Sequence, residues 1–152
     1  MSFEAADPAF ESRVRESFAR QTVMATIGAT LGRVAPGEVE ILLPFRDDLC
    51  QQHGFFHAGI TATIADSAAG YAAFSLFPVD SSVLTSEFKL HLLAPAAGER
   101  PRAVGRVLKP GRTLTVAETE VFALKDGREK LCAKLIGTLM TLKERPDLGV
   151  AG

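Results

Sequence analysis

The sequence predicts an α+β fold: a mostly antiparallel sheet of five to six strands wrapped on one long apolar helix, with a further helix at the amino end. Three observations carry this. Residues 57–77, HAGITATIADSAAGYAAFSLF, are apolar on nearly every side, so a helix there must be buried. Several segments alternate apolar and polar residues with the period of a half-buried strand. Turn signals, Pro36-Gly37, Pro110-Gly111 and Asp126-Gly127, join them at hairpin spacing. With 152 residues the chain holds one core and no second one.

Taken in order, residues 8–27 read as one amphipathic helix. Phe10, Val14, Phe18, Val23 and Ile27 recur at helical spacing, and Asp7-Pro8 supplies a cap and first turn. Residues 30–34 and 38–45 make a hairpin about the 35–38 turn, with Val39, Ile41, Leu43 and Phe45 inward. A loop, RDDLCQQHGFF, leads into the long helix, and Pro78 ends it. Strands follow over 83–93, 102–108, 113–124 and 131–142. On the first, Leu84, Phe88, Leu90 and Leu92 are expected to share a side, with Lys89 and His91 opposite. A single sheet covers one side of the apolar helix, so the amino-terminal helix or a second subunit must cover the rest.

Composition narrows the function classes. Hydrophobic residues are 47% and charged residues 23%, with net charge −1, which gives no whole-surface field for nucleic acid or an anionic membrane. Cys50 and Cys132 are too few for a disulfide scaffold and lack metal-ligand spacing, so no metal is expected. The amino terminus is acidic with no apolar run, unlike a signal or transit peptide, and no segment suits a membrane span. A cytoplasmic location is the expectation.

The chemistry is expected at Asp66. It sits among Ile64, Ala65, Ala68 and Ala69, where a carboxylate is costly unless paired or functional. A plain helix-internal Asp bonded to Ser67 or Thr63 is the structural alternative. Desolvation should raise its pKa and make it a base near neutrality. The helix start, Phe55-Phe56-His57-Ala58-Gly59, offers free backbone N–H groups to developing negative charge, beside small residues that let a carbonyl approach. His57 can orient that loop or donate to the same oxygen. His57 and Asp66 lie nine residues apart, roughly 13 Å along the axis and on opposite faces. They cannot serve one reacting carbon within one chain, so if both act the site lies between two antiparallel copies.

The run Gln51-Gln52-His53-Gly54-Phe55-Phe56-His57-Ala58-Gly59-Ile60, followed by Ile64-Ala65-Asp66-Ser67-Ala68, resembles the signature of PaaI-like hotdog thioesterases. The likeness extends to Glu87-Phe88-Lys89, Ala94-Pro95-Ala96, Lys109-Pro110-Gly111-Arg112-Thr113-Leu114 and Gly137-Thr138. It divides the chain into a helical segment (1–29), a hotdog domain (30–143) and a tail (144–152). The resemblance implies hydrolysis of an acyl-CoA thioester, with Asp66 as general base or nucleophile and Ala58 N–H polarising the carbonyl. It implies Gln51 as the helping amide and Thr85, with Ser86 adjacent, as support for the attacking water. The family usually has glycine where Ala58 stands, and the methyl would narrow the acyl range. Coenzyme A enters as part of the substrate, with no separate cofactor. Lys109, Arg112 and Arg106 are candidates for its phosphates, Gly59 for close approach, and Phe55, Phe56, Tyr71 and Phe74 for the acyl walls. The expected assembly is a homodimer or a pair of dimers. Two other readings stay open: a binding module that senses acyl-CoA without turnover, and a hydratase on the same fold.

Overall fold

The computed structural model describes residues 2–145, and the rest of the expected tail lies outside them. Helices α1 (Phe10–Arg20) and α2 (Thr22–Ile27) come first, then strands β1 (Thr30–Ala35) and β2 (Glu38–Leu42). Helix α3 (Ala58–Phe74) and strands β3 (Ser81–Leu92), β4 (Arg102–Lys109), β5 (Leu114–Lys125) and β6 (Arg128–Lys143) follow. The six strands form one antiparallel sheet in the order β1-β2-β4-β5-β6-β3.

Two of the three expected turns form as their residues demand, whereas the chain passes from β4 to β5 through bends at Arg112 and Thr113 and not through a tight turn at Pro110-Gly111. Gly37 has φ 77°, which suits position three of a Pro-Gly type II turn, and Asp126 and Gly127 both have positive φ in the β5–β6 hairpin. Four further expectations are corrected. The amino-terminal helix is not continuous: Gln21, at φ −78° and ψ 93°, ends α1 and caps α2. Helix α3 stops at Phe74, not 77, and turns carry the chain to Pro78. Phe45 lies beyond β2 and is exposed. On β3, a register shift between Thr85 and Glu87 reverses the alternation, so Val83 and Thr85 share a side with Phe88, Leu90 and Leu92 while Leu84 faces the other way.

Helix α3 is seated on the sheet by two contacts on either side of Asp66. Thr119, fully buried on β5, donates to Ala65 O at 2.8 Å. Gly105 on β4 lies beneath the Ala68 carbonyl, so closely that any Cβ there would collide with it. These fix the rotation of the helix and turn Ala65, Ala68 and Ala72 to the sheet. Helix α1 covers the carboxyl half of α3, through Val14 and the Phe18–Tyr71 ring contact at 5.8 Å. Gly59, Ala62, Thr63 and Asp66 form a stripe that neither layer fully covers.

The carboxyl end of α3 is closed from α1. Arg13 donates to Phe74 O (3.2 Å), Phe77 O (2.7 Å), Pro78 O (2.6 Å) and Val79 O (3.0 Å), and its guanidinium stands 4.6 Å over the Phe74 ring. Buried Asp7 balances it at 3.4 Å. Helix ends leave carbonyls without partners, and here one cation satisfies them. Arg13→Ala is therefore expected to cost about 3 kcal/mol in a urea titration. Arg13→Lys should recover little of this, since an ammonium lacks the planar fork. A midpoint within experimental error of the parent would mean the cap is dispensable.

The outer face of the sheet is a charge ladder. Glu38 pairs Arg33 (3.3 Å) and Arg106 (2.9 Å), Arg106 reaches Glu120 (3.3 Å), and Lys134 joins Glu118 (2.9 Å) and Glu120 (3.6 Å). Alongside it, Arg102 bridges Glu40 and Glu129. No helix among the described residues is long and apolar enough to cross a membrane.

Candidate functional site

Asp66 leaves α3 half-buried at the edge of a cavity of about 400 Å³. Thr85, brought to that side by the strand alternation up to the β3 bulge, donates to Asp66 Oδ1 at 2.7 Å. The partner foreseen within the helix is absent: Ser67 donates to Gln21 Oε1 and Thr63 to Gly59 O. Burial pushes the Asp66 pKa above the ordinary carboxylate value, and the Thr85 hydroxyl partly offsets this by stabilising the anion. The result is a carboxylate that holds a proton more tightly than a surface Asp and has one oxygen engaged.

The amino end of the same helix forms a second cavity, of about 690 Å³, over Gln51, Phe55, Phe56, His57 and Ala58. Here His57 caps the helix, with Nδ1 accepting from Gly59 N–H at 2.8 Å. That contact leaves Nδ1 unable to donate, so only Nε2 can offer a proton to a ligand. It also occupies the Gly59 N–H. The Ala58 N–H makes no hydrogen bond among the described residues and is the open donor of the first turn. Gln51 O accepts from Gly54 N–H, and its side-chain carbonyl accepts from His53 N–H, which leaves the side-chain NH₂ to face a ligand.

The structure thus groups the expected residues in two sets. Asp66 and Thr85 share one cavity, Gln51, Phe55, Phe56, His57 and Ala58 the other, and no residue lines both. The helix spacing keeps the sets apart, as the sequence geometry requires. Gly59 is exposed at the first turn, its amide already taken by His57. Of the expected acyl walls, Tyr71 lines the Asp66 cavity, whereas Phe74 is fully buried core. Arg106 lines neither cavity, and its guanidinium is held on the outer face by Glu38 and Glu120. Lys109 and Arg112 are exposed about the β4–β5 turn, and Arg112 borders a third cavity beside Phe77, Pro78 and Lys143. Among the described residues no three His, Cys, Asp or Glu side chains cluster as metal ligands.

Sequence reasoning missed Ser17 and Gln21 in the Asp66 cavity, and Leu92, Leu93 and Cys132 in the other. Ser17 and Gln21 carried one weak signal: both are uncharged on a helix otherwise rich in Arg and Glu. The second group follows from β3 lying beside β6, a pairing that sequence order does not disclose.

Comparison with known proteins adds to this geometry. A sequence profile of the thioesterase superfamily matches residues 53–130. A crystal structure of a thioesterase family protein from Silicibacter pomeroyi is 52% identical, with TM-score 0.87 over 88% of this chain and 98% of that one. A Saccharolobus solfataricus protein named as a candidate esterase is 30% identical over 88% of this chain and 86% of its own length. The Escherichia coli PaaI protein from the phenylacetic acid degradation operon shares the hotdog fold, at TM-score 0.78 and 18% identity over 88% of this chain and 93% of that one.

Proposed function

The chain belongs to the thioesterase superfamily, and from that premise we propose that it hydrolyses an acyl-CoA thioester to the free acid and coenzyme A in a site shared by two copies. The observation that carries this is the half-buried Asp66, its proton affinity raised and one oxygen held by Thr85, at the mouth of a cavity. Asp66 either takes a proton from water or attacks the thioester carbon itself. Either way the carbonyl oxygen gains negative charge, which the open Ala58 N–H of the partner subunit stabilises at the positive end of its helix. Gln51, through its free NH₂, and His57, through Nε2, position the thioester. Thr85 holds the carboxylate and supports the water. Lys109 and Arg112 remain candidates for the coenzyme phosphates.

Two features support the shared site. The Gly59, Ala62, Thr63, Asp66 stripe is made largely of small residues that let a second helix approach closely. Strand β3 is an outer strand with apolar side chains in the open, Phe88 at 42% and Leu92 at 58% exposure. A second copy paired antiparallel on β3 would cover both and bring each Asp66 toward the other chain's Ala58.

The test is thiol release from a panel of acyl-CoAs, followed across pH. Turnover of at least one member is expected, with kcat/KM falling as pH drops through the Asp66 pKa, because only the carboxylate can act as base or nucleophile. The acid limb should lie above that of an ordinary Asp. Thr85→Val should move it further up, since the variant removes the hydrogen bond that favours the anion. Binding of acyl-CoA without thiol release would put the sensor reading in its place.

A further inference from the structure

The reaction above uses neither Ser17 nor Gln21, yet both line the Asp66 cavity. Gln21 reaches it through the break between α1 and α2, where the chain leaves helical geometry for one residue. Its Oε1 accepts from Ser67 Oγ at 3.1 Å, one residue from Asp66. Its amide nitrogen makes no hydrogen bond among the described residues. Deeper along α1, the Ser17 and Tyr71 hydroxyls meet at 3.2 Å. Four neutral polar side chains, Ser17, Gln21, Ser67 and Tyr71, therefore wall a cavity whose apolar lining is mainly Val83 and Leu84.

Gly70 lies on the same wall. Glycine inside a helix is unfavourable relative to alanine, and a packing neighbour usually explains it. Here nothing lies within 4 Å of where a Cβ would stand. The missing side chain leaves room in the cavity and serves no packing contact. At about 400 Å³ the space is near the lower end of small-molecule sites, roughly 300–1,000 Å³.

Resting on the thioesterase reading, we propose that the amino-terminal helices form the specificity wall of the site. The acyl group lies over Gly70, and the Gln21 amide donates to an oxygen on it. The preferred substrates are then short acyl groups bearing a hydroxyl or keto oxygen beyond the thioester carbonyl. A plain alkyl chain would strip water from the Gln21 amide and return no hydrogen bond.

The test compares kcat/KM for 3-hydroxybutyryl-CoA and butyryl-CoA. The parent should favour the hydroxylated ester by about tenfold or more. Gln21→Leu should bring the two within about threefold by slowing the first and sparing or quickening the second. Gln21→Met serves the same purpose if the leucine variant does not fold. Gly70→Val, which fills the cavity, should slow both esters more than it slows acetyl-CoA. Equal use of the two esters by the parent overturns the proposal, as does a preference that survives loss of the Gln21 amide. Those outcomes leave hydrolysis standing, whereas failure to turn over any CoA ester removes the thioesterase reading and this inference together.

Discussion

Asp66→Asn should slow thiol release by on the order of 10²-fold or more, and the same protein should melt at a higher temperature than its parent. The two effects have one cause. Burial raises the Asp66 pKa in the folded chain above its unfolded value. A group shifted in that direction contributes stability at pH below the unfolded pKa and loses it as pH rises through the folded one. At neutral pH the ionised carboxylate therefore works against folding. Asparagine carries no charge to desolvate, and its Oδ1 can still accept from Thr85. The gain in melting temperature should shrink as the pH is lowered, because the parent's Asp66 takes up its proton. Loss of activity with a lowered melting temperature would instead identify Asp66 as a structural anchor.

The second large effect is expected at Ala58, from a substitution that alters one atom of function and little else. Ala58 is the first residue of α3, and His57 before it has φ −59° and ψ 140°. Both positions are favourable for proline at Ala58, since proline suits the first helical residue and wants an extended predecessor. Ala58→Pro should keep the fold and remove the open N–H, with a loss of about 10²–10³ in kcat. Mixing gives a sharper result. In a dimer of one Asp66→Asn and one Ala58→Pro chain, one site carries both defects and the other carries neither. Random reassembly makes about half the dimers mixed, so about a quarter of the parent activity should return. If each site lay within one chain, every site would hold a defect and the mixture would stay inactive.

What the sequence disclosed about this molecule was mostly local. Composition marked α3 as buried before any neighbour was known, and Asp66 stood out against it. The Pro36-Gly37 and Asp126-Gly127 pairs placed two turns because their backbone geometry is set largely by those residues. The tertiary features were hidden. Nothing in the alternation of 83–93 announces the bulge that puts Thr85 and Phe88 on one side. The break at Gln21, whose ψ of 93° separates α1 from α2, lies inside a continuous helical pattern that gives no sign of it. The partners of Arg106 were hidden because they depend on sheet order and register: Glu38 comes from β2, 68 residues away, and Glu120 from β5, and both strands flank β4.

The two margins of the sheet differ in a way that bears on how far self-association can run. Strand β1 is six residues long, has a register shift between Leu31 and Val34, and carries Arg33, 72% exposed and paired with Glu38. Shortness, a kink and an exposed charge all discourage another strand from adding there. Strand β3 also has a bulge and carries charged side chains, but it is twice as long and sets Phe88 and Leu92 in the open, so it is the margin better suited to a partner strand. A sheet with two inviting margins would stack head to tail into open fibres. In the dimer proposed above, two-fold pairing through β3 would use up the longer margin and leave the short, kinked β1 at each end. Growth along the sheet direction would then terminate at two chains, with the exposed apolar side chains of β3 closed inside the pair.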